Sequence, residues 1–268
     1  MKGKRLDQRL TELGLAESRE KAKATIMSGL VYVNGQKSDK PGTPVSDGAK
    51  IEVRGAACPW VSRGGFKLAK ALEVFEINPA GYVCIDCGAS TGGFTDVLLK
   101  NGAARVYAVD VGYGQLAWSL RTDARVTVME RTNARNLTPD MFPESMDMAV
   151  MDLSFISIRL ILPAVHALLK PEGECVCLIK PQFEAGRADV GKKGVVRDRA
   201  VHERVLNEML EFFPAAGYTL TGLDYSPIRG PEGNIEYLAH LKRGEHAGIA
   251  PDIAAIVAAS HGELDKHG

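Results

Sequence analysis

Leu6, Leu10 and Leu13 recur at i, i+4 and i+7, a spacing that predicts a short amphipathic helix over 4–14 closed by Gly14. Arg5 and Arg9 stand four apart and would share its polar face. Ser18 is placed to cap a second helix with an apolar stripe of Ala22, Ile26 and Leu30, ended by Gly29. Arg19, Lys21 and Lys23 decorate its polar side. The period then switches from helical to alternating: Val31-Tyr32-Val33 runs into Asn34-Gly35, a hairpin signal, and Asp47-Gly48 leads into a closing strand at 50–53. Small residues follow in Arg54-Gly55-Ala56-Ala57-Cys58-Pro59-Trp60, a composition shift that marks a boundary. The division expected is a module over 1–54, a linker over 55–61, a large domain over 62–243 and a tail over 244–268 to which the pattern assigns no role.

From residue 61 onward, β-rich apolar runs alternate with amphipathic helical stretches. Strands are predicted at 82–86, 105–110, 126–129, 146–152, 174–179, 218–225 and 235–241, and helices near 66–76, 93–101, 158–169 and 200–215. Such alternation predicts an α/β fold: a central, mostly parallel seven-stranded sheet covered on both faces, with ligands at the carboxyl ends of its strands.

Composition changes this picture little. The chain has 268 residues, 45% of them apolar, enough for a full core, and lacks an apolar run of membrane-spanning length. Five cysteines, an odd number, without a secretory leader fit reduced thiols and a cytoplasmic protein. The formal charge is zero, but unevenly spread: 1–54 carries +4 and the remainder −4. A basic head on a mildly acidic body suits a module that finds a polyanion.

The first strand of the large domain ends in Val83-Cys84-Ile85-Asp86-Cys87-Gly88-Ala89-Ser90-Thr91-Gly92-Gly93-Phe94-Thr95. Glycines let a backbone approach a ligand, and the helix starting near Gly93 offers unpaired N–H groups. The spacing differs from Gly-x-Gly-x-x-Gly, which counts against a dinucleotide. The second strand ends at Asp110, a carboxylate placed to take the hydroxyls of a ribose, and the third runs into Arg131-Thr132-Asn133, where an adenine would lie. The cofactor-binding set read from this is Asp86, Gly88, Ala89, Ser90, Gly92, Gly93, Phe94, Asp110 and Asn133, with Asp152 at the neighbouring strand end.

Four further charges sit at element ends: Lys67 in Arg63-Gly64-Gly65-Phe66-Lys67, Asp152 in Asp152-Leu153-Ser154-Phe155, Lys180 in Lys180-Pro181-Gln182-Phe183 and Glu236 in Asn234-Ile235-Glu236-Tyr237. At these residues the chain resembles the FtsJ-like ribose 2′-O-methyltransferases, whose tetrad runs Lys-Asp-Lys-Glu in this order. Over residues 4–54, the two basic helices, Val-x-Val-Asn-Gly and the later Asp-Gly strand resemble the RNA-binding domain of ribosomal protein S4. Together the two halves resemble the haemolysin-A (TlyA) family of ribosomal RNA cytidine 2′-O-methyltransferases. The linker departs from that family in carrying no basic residue beside Trp60.

The resemblance implies S-adenosyl-L-methionine as cofactor and ribosomal RNA, or ribosomal subunits, as substrate. It implies that Lys180 lies nearest the 2′-hydroxyl and takes its proton, its pKa lowered by Lys67, while Asp152 orients Lys180 and Glu236 positions Lys67. No metal is needed, because the leaving group departs as a neutral thioether. RNA contacts are expected from Arg5, Arg9, Arg19, Lys21, Lys23 and Arg63, and from a mobile basic loop over 184–199 that carries Lys192, Lys193 and Arg197. The competing readings are a haemolysin-like membrane-perturbing protein, for which no strongly amphipathic basic helix is present, a nicotinamide-dependent oxidoreductase, and an RNA-binding ribosome-associated factor. Zinc at Cys84-x-x-Cys87 and Cys175-x-Cys177 is disfavoured, since Cys175 and Cys177 share one face of a strand. The pattern specifies no oligomeric state.

Overall fold

The computed structural model describes residues 3–27, 29–53 and 58–264. Residues 54–57, which include the first three of the expected linker, and 265–268 of the tail lie outside the described residues.

The N-terminal module opens with β1 (Lys4–Arg5), α1 (Leu6–Glu12) and α2 (Arg19–Met27). It continues through β2 (Val31–Val33), β3 (Gln36–Lys37), β4 (Pro44–Val45) and β5 (Ile51–Val53). Leu6, Leu10, Ala22, Ile26, Val31 and Val45 form its core, so the helical stripes face the strands as their spacing requires. Ser18 caps α2 by accepting from Lys21 N, and Gly29 (φ 73°) ends it, leaving Leu30 beyond the helix. Asn34 (φ 51°) and Gly35 (φ 80°) both take the left-handed conformation that a two-residue hairpin between β2 and β3 demands. Helix α1 starts two residues later than its period suggested, because Lys4 and Arg5 pair with β4.

In the large domain the chain passes through α3 (Gly65–Val74), β6 (Val83–Cys87), α4 (Gly93–Lys100), β7 (Arg105–Val109), α5 (Trp118–Arg121) and β8 (Val126–Met129). It continues through β9 (Met146–Met151), α6 (Leu162–Leu168), β10 (Leu169–Ile179), α7 (Pro181–Glu184), α8 (Arg199–Ala215), β11 (Tyr218–Tyr225), β12 (Tyr237–Arg243) and α9 (Ile253–Leu264). The seven strands are ordered β11-β12-β10-β9-β6-β7-β8, and β12 runs antiparallel to both neighbours. Its reversed direction brings its first residues to the rim where the parallel strands end.

Apolar layers cover both faces of the sheet: Met151, Leu162, Val205, Phe213 and Val257 on one, Leu68, Phe94, Leu98 and Met148 on the other. The predicted helix over 158–169 is divided, with a 3-10 turn at 158–160 before α6, whose first turn holds Pro163. The unassigned tail contains α9, capped by Asp252, whose Oδ1 accepts from Ala255 N. Ile253, Val257 and Leu264 bury its inner face. Among the described residues, no helix is long and apolar enough to cross a membrane.

Candidate active site

The first strand of the parallel set, β6, delivers a glycine loop to the rim. Gly88 (φ 86°) turns the chain so that its N–H and that of Ala89 both donate to Val109 O, at 2.9 and 3.0 Å. A Cβ on Gly88 would lie 2.9 Å from Asp152 O, so the loop passes against the end of β9 with no room for a side chain. Ser90 holds a left-handed φ of 49° and donates its N–H to Asp110 Oδ2 at 2.8 Å, while Gly112 N donates to Oδ1 at 2.6 Å. Asp110 thus directly follows β7 with both oxygens against backbone donors.

Asp86 sits deeper than expected. It is 1% exposed, and its Oδ2 accepts from Thr95 N and Thr95 Oγ1 at 3.0 and 2.7 Å, fixing the first turn of α4. Its Oδ1 is buried without a hydrogen bond. Burial outweighs the Thr95 bonds and pushes the carboxyl up to about 7. Asn133 is exposed, with its Oδ1 accepting from Arg135 N. Asp86, Gly92, Asp110 and Asn133 stand outside the lining of the cavity described next.

That cavity, of about 180 Å³, is lined by Gly88, Ala89, Ser90, Gly93 and Phe94 on one side and by Lys67, Asp152 and Lys180 on the other. Arg63, expected among the RNA contacts, lies in the same wall. Lys67 comes from the first turn of α3, Asp152 and Lys180 directly follow β9 and β10, and Glu236 precedes β12. The four charges alternate. Lys67 Nζ lies 2.9 Å from Asp152 Oδ2 and 2.7 Å from Glu236 Oε2. Lys180 Nζ lies 2.5 Å from Asp152 Oδ1 and 3.7 Å from Glu236 Oε1, with Ser154 Oγ at 3.5 Å. Both lysines and Glu236 are buried, and two charges of each sign offset one another's desolvation.

Carboxylates stand between the two lysines, each of which is paired with both Asp152 and Glu236. Burial opposes the charge on Lys67, but Asp152 and Glu236 outweigh it and raise its pKa. Burial likewise opposes the Asp152 anion, yet Lys67 and Lys180 hold its carboxyl well below the usual range.

Beside the tetrad lies a second, larger cavity of about 420 Å³, which sequence reasoning missed. Phe155, Ile156, Ser157, Gln182, Phe183 and Arg187 are among its walls. Phe155 is 91% exposed, holds a left-handed φ of 64°, and stands 5.5 Å from the Phe183 ring. A signal was present: each of these aromatics follows a tetrad residue, Asp152 or Lys180, by three positions. Glu184 fastens the two walls together, its Oε2 accepting from Ser157 Oγ at 2.6 Å and its Oε1 from Ile158 N at 2.9 Å.

The basic candidates fall into two groups. Arg5 precedes α1, so the expected face shared with Arg9 does not form. Arg5 and Arg19 both pair with the buried Asp7, leaving half of each side chain exposed. Arg9 is turned inward onto Glu12 and Asp47 O. Lys21 pairs with Glu17, and Lys23 is exposed. Lys192, Lys193 and Arg197 are exposed on their loop. On the same loop Val195 and Val196 are buried, and Val196 N donates to Asn234 Oδ1.

The model of the FtsJ-like methyltransferases matches residues 60–243, and that of the S4 domain matches residues 4–51. YqxC of Bacillus subtilis, provisionally named an rRNA methyltransferase, is 55% identical over 241 residues, covering 90% of this chain and 86% of its own. The 16S/23S rRNA (cytidine-2′-O)-methyltransferase TlyA of Mycobacterium tuberculosis is 48% identical over 239 residues, 89% of each chain. A solved structure from Streptococcus thermophilus, provisionally named a hemolysin, superposes with a TM-score of 0.81 at 47% identity, covering 100% of this chain and 98% of its own.

Proposed function

Because the chain belongs to the FtsJ-like methyltransferase family, in the branch that holds YqxC and TlyA and with an S4 domain ahead of the catalytic one, we propose that it methylates a ribose 2′-hydroxyl of ribosomal RNA, on cytidine, with S-adenosylmethionine as donor. The observation that carries this reading is the closed ring of Lys67, Asp152, Lys180 and Glu236, of which Lys67, Asp152 and Lys180 line the glycine-loop cavity.

The residues present fit the cofactor. The backbone at Gly88 and Gly93 has no room for a Cβ, so the loop forms a close cradle. The unpartnered, buried Asp86 Oδ1 suits a cationic amino group, and Asp110 suits ribose hydroxyls. Bound there, the cofactor supplies a methyl group on a sulfonium.

The remaining work falls to the chain. A 2′-hydroxyl is a poor nucleophile that must be held in line with the methyl carbon and relieved of its proton. Asp152, held anionic by two lysines, is too weak a base for that proton and orients both amines instead. Lys180 lines the cofactor cavity, and Gln182 and Phe183, two and three residues further on, line the larger one. We assign Lys180 the proton, which it takes as a neutral amine after its own proton has passed to solvent. Phe155 and Phe183 offer the target base a stacking surface outside the helix it leaves. The S4 domain brings Arg5, Arg19 and Lys23 to the phosphate backbone, and the loop bearing Lys192, Lys193 and Arg197 adds contacts near the tetrad.

The test is Lys180→Arg, which keeps the charge but does not deprotonate in the working range. Single-turnover methylation of unmodified rRNA should fall about 100-fold or more, with RNA and cofactor affinities nearly intact. A variant that retains most of its rate would leave Lys180 as an orienting group only. A wild-type protein that leaves rRNA unmethylated would overturn the whole reading.

A further inference from the structure

The segment between β11 and β12 does more than deliver Glu236. Asn234, 2% exposed, pairs its carboxamide with the basic loop as one peptide group pairs with another. Its Oδ1 accepts from Val196 N at 3.0 Å and its Nδ2 donates to Gly194 O at 2.9 Å. On the loop side, Gly191 N donates to Val195 O at 3.2 Å and Gly194 N to Gly191 O at 2.8 Å, closing a turn that carries Lys192 and Lys193 outward. His202, fully buried at the start of α8, adds a bond from its ring to Val196 O at 3.0 Å.

On the tetrad side, Asn234 O accepts from Gly230 N at 2.9 Å, closing a second turn. This turn lies against the chemistry. A Cβ on Gly230 would stand 2.7 Å from Glu236 Oε1, and Pro231 lines the cofactor cavity. One buried carboxamide therefore joins the lysine turn to the segment that fixes Glu236. Neither can shift without leaving buried peptide groups unpaired.

We propose that Asn234 is a positioning residue that couples the Lys192–Lys193 turn, where RNA phosphates are held, to the Glu236 carboxylate, so that seating the RNA and setting the tetrad are one event. The role of the turn rests on the RNA methyltransferase reading, whereas the staple itself does not. With two glycines and no strand or helix at 190–196, that turn is held by Asn234 and by the His202 bond to Val196 O, so losing the staple should open it without unfolding the domain.

Asn234→Asp tests this at unchanged volume. It keeps the acceptor for Val196 N and sets a carboxylate against the Gly194 carbonyl. Tryptic cleavage after Lys192 and Lys193 should run about tenfold faster than in wild type, the effect of one lost buried hydrogen bond. Single-turnover methylation at saturating 16S or 23S rRNA should fall about tenfold, with cofactor affinity within about twofold. A purely structural residue would lower the melting temperature and leave both the cleavage pattern and the saturated rate alone. Cleavage and rate equal to wild type overturn the proposal. In the wild-type protein, rRNA that protects Lys192 and Lys193 should also slow hydrogen exchange of the 230–236 amides, and protection confined to the lysine turn overturns the coupling. If wild-type protein leaves rRNA unmethylated, the enzymatic reading fails, while the tryptic comparison still decides whether the staple exists.

Discussion

Asp86 pays an electrostatic cost that a partner could relieve. Its carboxyl is pushed up to about 7 by burial, so below that pH the folded protein holds a proton that the unfolded chain releases near pH 4. The folded state binds the extra proton between these values, and stability therefore falls as pH rises from about 4 to about 7. The full effect is on the order of 4 kcal/mol, since each pKa unit is worth about 1.4 kcal/mol. Asp86→Asn should remove this slope. Urea unfolding of both proteins at several pH values between 4 and 8 checks it, and parallel curves would show that the buried acid is not the cause. Asp152 has the opposite sign. Lys67 and Lys180 hold its carboxyl low, so its contribution is complete above the ordinary aspartate range and is lost only as pH falls below it.

At the scale of elements, the decisive contact is between the loop after β6 and the end of β9. Gly88→Ala would impose a left-handed φ of 86° on a residue with a Cβ and press that Cβ to 2.9 Å from Asp152 O. We expect a stability loss of about 1–3 kcal/mol and a larger loss of methylation than of cofactor affinity, because Asp152 would be displaced. Calorimetric melting and cofactor titration alongside turnover check this. Elements with a sustained period were legible in the sequence: β8 and β11 fall where alternation placed them, and α4 and α8 agree within one residue. Helix α9 was missed although Pro251-Asp252 is a start signal, because its alanine-rich stretch carries few large apolar residues. In the site, the glycine loop and Asp110 could be read from chemistry. The tetrad could not be assembled from spacing, since Lys67 and Glu236 are far apart in the chain, and only the family resemblance joined them. Phe155 stayed hidden because its significance lies in a backbone conformation and an exposure that no local pattern encodes.

For the whole molecule, the two modules should separate by role. Deleting residues 1–58 leaves Trp60 packed against Gly65 and Val61 N donating to Asp96 Oδ2, so the large domain keeps its entry segment. The truncated protein should fold and bind cofactor but methylate intact rRNA poorly, because Arg5, Arg19 and Lys23 are gone. Full activity of this fragment on rRNA would show the S4 domain to be dispensable.

The position of β12 has a consequence for how the protein comes into being. It is the last strand to leave the ribosome, yet its place is between β10 and β11. Until it arrives, β10 presents an unpaired edge, and β11 has no partner of its own in the sheet. The nascent chain thus passes through a stage in which the glycine loop, Lys67, Asp152 and Lys180 have all been synthesised while Glu236, carried in with β12, is still missing. Closing that gap requires a non-local pairing late in synthesis, the step most exposed to slow folding and to association between chains. A partly made enzyme is on this account silent, and the insertion of one strand both seals the sheet and completes the charge ring.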